Sequence, residues 1–111
     1  MKHRQVARNV ILSVTPPEGT HLRTADLIGL AVEARPEPQS LLPYVARAEQ
    51  IREISARRTN IYLPPEGWEW VDAALNVINA ARAREGKKSV SLSVLLDALA
   101  LWGKERVEHP R

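Results

Sequence analysis

The sequence predicts a mostly α-helical fold with a short two-stranded antiparallel β-ribbon, formed by a strand-helix-helix unit that occurs twice. Three observations predict it. Thr59-Asn60-Ile61-Tyr62-Leu63 alternates, with Thr59, Ile61 and Leu63 on one face and Asn60 and Tyr62 on the other. The tetrapeptide Pro-Pro-Glu-Gly stands at 16–19 and again at 64–67, each time closing a β-rich stretch. After each copy, two segments carry apolar residues at helical spacing.

Residues Val6 to Val14 are β-rich and form the first strand. Leu22 through Arg35 reads as a helix, with Leu22, Ala25, Ile28 and Val32 on one face and Leu27 and Leu30 beside them. Pro36-Glu37-Pro38 breaks it. Ser40 is placed to cap a second helix, Leu41 through Arg57, in which Leu41, Val45, Ala48, Ile51 and Ile54 (with Ser55) mark the buried side. Pro43 is tolerated there because it falls in the first turn. In the second unit, Pro64-Pro65-Glu66 suits a first helical turn, and Trp68, Val71, Leu75, Ile78 and Ala81 recur at helical spacing. This helix runs to about Arg84 and ends at Gly86, which can take the left-handed C-cap conformation. Ser89-Val90-Ser91 supplies an N-cap, and Leu92, Leu95, Leu96, Leu99 and Trp102 form the stripe of the last helix. Gly103 and Pro110 read as its fraying end.

A lone short strand followed by two helices cannot bury its apolar faces or satisfy its edges. Two such units can. Residues 6–57 and 58–107 are therefore expected to form a single intertwined domain over 1–111, with the strands paired across a pseudo-twofold axis. With 111 residues, 44% hydrophobic and 26% charged, the chain has a globular composition. It contains no Cys, which excludes a disulfide framework, a thiol nucleophile and cysteine-ligated metal. His3, His21 and His109 are scattered without ligand spacing, so neither a metal nor another cofactor is expected. No nucleophile-base constellation or glycine-rich phosphate loop is visible, so the chain does not read as an enzyme. No apolar run approaches the ~20 residues of a bilayer span. The basic N-terminus lacks the apolar stretch of a signal peptide, which places the expected location in the cytoplasm.

The net charge is only +3, but its distribution is uneven. No acidic residue precedes Glu18, whereas Lys2, His3, Arg4 and Arg8 do; Arg57-Arg58 and the group Arg82, Arg84, Lys87, Lys88 form two further knots. Twelve of the sixteen basic residues are Arg, which leans toward phosphate or carboxylate recognition.

Strand, Leu-Pro, amphipathic helix, a Gly-and-Ser turn, then a second amphipathic helix resembles the ribbon-helix-helix DNA-binding proteins, the superfamily of the methionine and Arc repressors. The matching residues are Asn60-Ile61-Tyr62-Leu63-Pro64 and Gly86-Lys87-Lys88-Ser89-Val90-Ser91. The N-terminal copy keeps the order of elements but few of the residues. A fused pair within one chain resembles certain conjugation accessory proteins and viral regulators. The resemblance implies a transcriptional regulator that inserts a β-ribbon into the major groove of double-stranded DNA. It makes the outward strand positions base readers: Arg58, Asn60 and Tyr62 in the second strand.

In the first strand the favoured frame sets Asn9, Ile11 and Ser13 outward, since the opposite frame exposes more apolar surface. Arg suits guanine, Asn suits adenine, and a Tyr ring can meet a thymine methyl. Phosphate contacts are expected from Lys87, Lys88, Ser89 and Ser91 at the N-terminus of the last helix, and from Arg4 and Arg8. The two strands differ, so one chain should read a non-palindromic subsite, with self-association allowed on repeated subsites. The competing class is a protein-interaction or assembly module, such as a relaxosome or partition accessory protein. Trp68, Trp70 and Trp102 read as core or interface anchors, and an exposed Trp70 would favour that class. The chain ends soon after its last helix, which speaks against a toxin-binding tail.

Overall fold

The structure is a computed structural model that describes residues 4–52 and 54–110. Among the described residues two strands and four helices follow one another as β1 (Val6–Leu12), α1 (Thr24–Ala34), α2 (Leu42–Ile51), β2 (Arg57–Leu63), α3 (Pro65–Arg84) and α4 (Leu92–Glu108). A 3-10 turn, Pro38–Leu41, leads into α2. The fold is mostly helical around one two-stranded sheet.

The strands pair antiparallel, with Val6 opposite Leu63, Asn9 opposite Asn60 and Leu12 opposite Arg57. Alternation then divides the ribbon into two faces. Val10, Leu12, Ile61 and Leu63 are buried, whereas Asn9, Arg58, Asn60 and Tyr62 are exposed. The apolar face lies on a core supplied by all four helices, with Leu27, Ile28, Leu41, Val45, Ile78 and Leu99 among its buried members. Each large side chain withdrawn from water in this way contributes ~1.5–3 kcal/mol.

The helices cross between the halves of the chain. α1 and α2 both pack on α4, and α3 meets the 3-10 turn. α4 is consequently buried almost all round, with every residue from Val94 to Ala100 inside. Asp97 is the one carboxylate among them. Its oxygens accept hydrogen bonds from the Ser13 N–H (2.9 Å), the Val14 N–H (3.2 Å) and Arg52 Nη1 (2.8 Å). One buried side chain thus ties the exit of β1 to the C-terminal end of α2.

Local signals explain most element ends. Pro64 and Pro65 start α3, where missing N–H groups cost nothing. Gly86 sits at φ +75°, closing the turn after α3 in a conformation that favours glycine. Asn79 then clamps the turn: it accepts from the Val90 N–H at 2.8 Å and donates to the Val90 carbonyl at 3.2 Å. Ser91 caps α4 by accepting from the Val94 N–H at 3.3 Å.

Four expectations need correction. α1 begins at Thr24 rather than Leu22, because Asp26 accepts the Arg23 N–H (2.8 Å) and Thr24 Oγ1 donates to the Val14 carbonyl (2.8 Å). Ser40 is no cap; its hydroxyl donates to the Glu37 carbonyl within the 3-10 turn. α2 stops at Ile51 instead of Arg57, because Arg57 is drawn into β2 by pairing with Leu12, and Ile54 and Ser55, expected on the buried side of the helix, are exposed beyond its end. Gly103 is no fraying end: it is buried inside α4, where a Cβ would lie 2.5 Å from the Leu27 carbonyl oxygen. Only a glycine lets α1 and α4 approach so closely.

Candidate nucleic-acid interface

The outward face of the ribbon is where polar side chains gather without being consumed by the fold. Asn9 and Asn60 face each other across the strands, and Ile11 faces Arg58. Arg58 Nη1 donates to Asn9 Oδ1 at 2.8 Å, and Asn9 Nδ2 donates to Asn60 Oδ1 at 2.7 Å. Three exposed side chains from two strands thereby form one connected row. Tyr62 continues the face at one end, 57% exposed. No acidic residue occurs between 4 and 17 or between 54 and 65, so the ribbon and its approaches carry only positive charge.

Ile11 has a reason to be where it is. Its side chain is half-buried, and both its backbone groups turn away from β2: Ser93 Oγ accepts its N–H (3.2 Å), while Arg52 Nη1 donates to its carbonyl (3.2 Å). The free edge of β1 is thus covered by the start of α4 and the end of α2. This contact also sets the α4 N-terminus beside the ribbon, together with the capping Ser91 and the exposed Ser89, Lys87 and Lys88. Lys87 Nζ lies 3.1 Å from Glu85, an exposed pair worth little in water.

Two expected contact residues are elsewhere. Ser13 lies past the end of β1 and is buried, its N–H held by Asp97 and its hydroxyl without a hydrogen-bond partner among the described residues; it is not on the open face. Arg8 belongs to the inward set of β1. It donates to both oxygens of Asp72 (3.0 and 3.1 Å) and stacks 4.3 Å from the Trp68 ring, which leaves little of it for a phosphate. The hydrogen bond to Asp72 pushes its pKa up, against the opposing effect of burial. Arg82, counted in a basic knot by sequence, is likewise spent inside, donating to the Lys88 carbonyl (2.9 Å) and to Glu49 (3.2 Å). Lys2 and His3 lie outside the described residues. Arg4 is exposed ahead of β1.

One cation on this flank escaped the sequence reading. Arg23, with 82% of its side chain exposed, joins Thr24, Arg57, Arg58, Asn60 and Tyr62 around a shallow concavity of about 550 Å³ beside β2. Its position at the start of α1 was the available signal, hidden because that helix was expected to begin earlier. Trp70 is half-buried and packs on the core.

Among the described residues no three His, Asp or Glu side chains come together as a metal site, and no helix is long and apolar enough to cross a membrane. No family model matches the chain, and neither a curated protein nor a solved structure matches it.

Proposed function

We propose that the chain is a sequence-specific double-stranded DNA-binding protein of the ribbon-helix-helix type, acting as a transcriptional regulator in the cytoplasm. Its two halves form one pseudo-twofold unit and β1–β2 enters the major groove. The observation that carries this reading is the outward ribbon face, where Arg58, Asn9 and Asn60 stand exposed and hydrogen-bonded to one another. A two-stranded ribbon fits the major groove, where base edges present distinguishable patterns of donors and acceptors. The order of elements, the register centred on Asn9 and Asn60, and the packing of α1 and α2 on α4 support the fused arrangement.

In this reading Arg58, Asn60, Tyr62 and Asn9 meet base edges, and Ile11 offers apolar contact to a thymine methyl. Phosphates on one flank meet Lys87, Lys88, Ser89 and Ser91, and those on the other meet Arg23 and Arg57. Arg4 reaches the backbone from the chain ahead of β1. Arg8 and Ser13 drop out of the set. A purely protein-binding role would draw support from an exposed Trp70, and Trp70 is packed on the core.

Retardation of duplex DNA across a salt series tests the proposal. Affinity should fall steeply as salt rises, because each neutralised phosphate releases counterions. Asn60→Ala should weaken specific binding by about 1–3 kcal/mol and spare nonspecific binding. Lys87→Ala and Lys88→Ala should weaken both alike. No retardation of any duplex at low salt would overturn the reading.

A further inference from the structure

The two edges of the ribbon differ. In an antiparallel pair, residues whose backbone groups bond the partner strand alternate with residues whose groups point away from it. Ile11 is of the second kind, and Arg58 stands opposite it. The alternation therefore turns the N–H and C=O groups of Arg58, Asn60 and Tyr62 away from β1, along the outer edge of β2. On β1 the corresponding groups of Ile11 are taken by Ser93 and Arg52. On β2, among the described residues, no turn, loop or side chain takes them; the side-chain bond to the backbone of this strand runs from Thr59 to the Arg57 carbonyl.

In place of a cover, β2 has a groove. α1 runs beside the strand, and three concavities of about 550, 530 and 510 Å³ follow one another between them. The first two share Arg23, Ala25 and Tyr62, and the last two share Gly29, Glu33 and Tyr62. The helix leaves room there, since a Cβ on Gly29 would meet nothing within 4 Å. An open strand edge walled by a helix suits an extended peptide, whose main chain pairs with groups that nothing else reaches. The charge is uneven along the groove. Arg23, Arg57 and Arg58 line the end where β2 begins, with no carboxylate in that concavity, whereas Glu33 and Glu66 outnumber Arg35 at the other.

We propose that the groove between α1 and β2 binds an extended peptide segment of a partner protein, added to the ribbon as a third strand, with an acidic residue of the segment held by Arg23, Arg57 and Arg58. About five residues are enough to pair with the three outward positions. A second copy of the chain does not fit, because its β1 edge is sealed and its β2 edge is walled by its own α1. The docking stands apart from the DNA-binding reading. Its consequence rests on that reading: the arginines at the groove mouth are those assigned to phosphates, so bound peptide and bound duplex exclude each other.

The experiment is selection from a displayed library of random short peptides on wild-type protein, followed by synthesis of the best binder. Selected peptides should be enriched in acidic residues, and amide shifts in heteronuclear NMR should centre on Arg58, Asn60, Tyr62 and α1. N-methylation of each peptide amide in turn should weaken binding about tenfold at every second position, because only alternate amides face β2. This scan uses wild-type protein throughout. Gly29→Leu fills the groove and should weaken the peptide by about tenfold or more, with duplex retention unchanged and folding checked by circular dichroism. The peptide should displace labelled duplex from wild-type protein and not from Gly29→Leu.

A library with no binder, binders without acidic residues, an N-methyl scan without alternation, or full affinity for folded Gly29→Leu would each overturn the proposal. So would self-association of the wild-type protein that Gly29→Leu abolishes, which would give the groove to a second copy. Peptide and duplex held together would overturn the exclusion alone. If no duplex is retained at low salt, the DNA-binding reading fails, while NMR still decides the peptide site.

Discussion

Replacing Asp97 by alanine would strand three donors at once. The Ser13 and Val14 N–H groups and the Arg52 guanidinium all converge on this carboxylate, which is fully buried in α4. Removing one partner of a buried charged cluster costs about 3–5 kcal/mol, because the groups left behind stay desolvated. A chain of this length has a total stability of roughly 6–17 kcal/mol, so the loss is a large part of the whole. At ~4 °C per kcal/mol, the melting temperature should fall by about 12–20 °C at pH 7.

Asp97→Asn keeps an oxygen for the two N–H groups but sets an amide N–H₂ against Arg52, and should fall between. Burial pushes the Asp97 carboxyl up from its ordinary range, against the opposing hydrogen bonds from Ser13, Val14 and Arg52. A folded-state pKa above the unfolded one means the folded protein holds this proton more tightly. The associated stability is fully present below about pH 3.9 and is lost as pH rises through the raised value. The advantage of wild type over Asp97→Asn should therefore shrink as pH rises above about 4. Thermal and urea unfolding followed by circular dichroism across pH 3–7 gives both readings. An alanine variant within about 1 kcal/mol of wild type, or an advantage that grows with pH, would refute the reasoning.

Two glycines of the helices should respond in opposite senses to alanine. Gly103→Ala pushes a Cβ into the Leu27 backbone and should destabilise by about 1–3 kcal/mol in urea unfolding, despite better helix propensity. Gly29→Ala meets nothing within 4 Å and should stabilise by about 0.5–1 kcal/mol. Tyr44→Phe removes the hydroxyl that donates to Glu105, the main cause holding that carboxyl below its usual range. The lost stability should reach no more than about 1 kcal/mol, since the site is solvated. It should be present above about pH 4.3 and vanish as pH falls through the lowered value, as unfolding at pH 2–7 will show.

What the residues disclosed in advance was local. Alternation set the faces of β2, and the frame that spared apolar surface set those of β1. Gly86 and Ser91 marked real helix ends. What stayed hidden depended on partners far along the chain. Ser13 looks like an outward strand residue until Asp97, 84 positions later, takes its N–H. Arg8 and Arg82 look like surface charge until Asp72 and Glu49 arrive from other helices. Gly103 resembles a helix stop because nothing in α4 itself announces the Leu27 backbone. The Arg58–Asn9–Asn60 row is equally illegible, since it exists only once the register of the two strands is known.

The edge of β1 sealed by Ser93 has a consequence for synthesis. Ile11 is translated early, but the residue that takes its N–H stands 82 positions further on. At ~5–20 residues per second, the interval between making Ile11 and making Asp97 is roughly 4–17 s. Throughout it the first strand lacks the completed helix that closes its edge, and for more than half of it the antiparallel neighbour as well. Nascent protein must wait, with Val10 and Leu12 incompletely covered, until the first turns of α4 have been added. Pairings so distant in the chain form slowly even after release. Of all its stages, the half-made chain is therefore the one most exposed to chaperones and to aggregation.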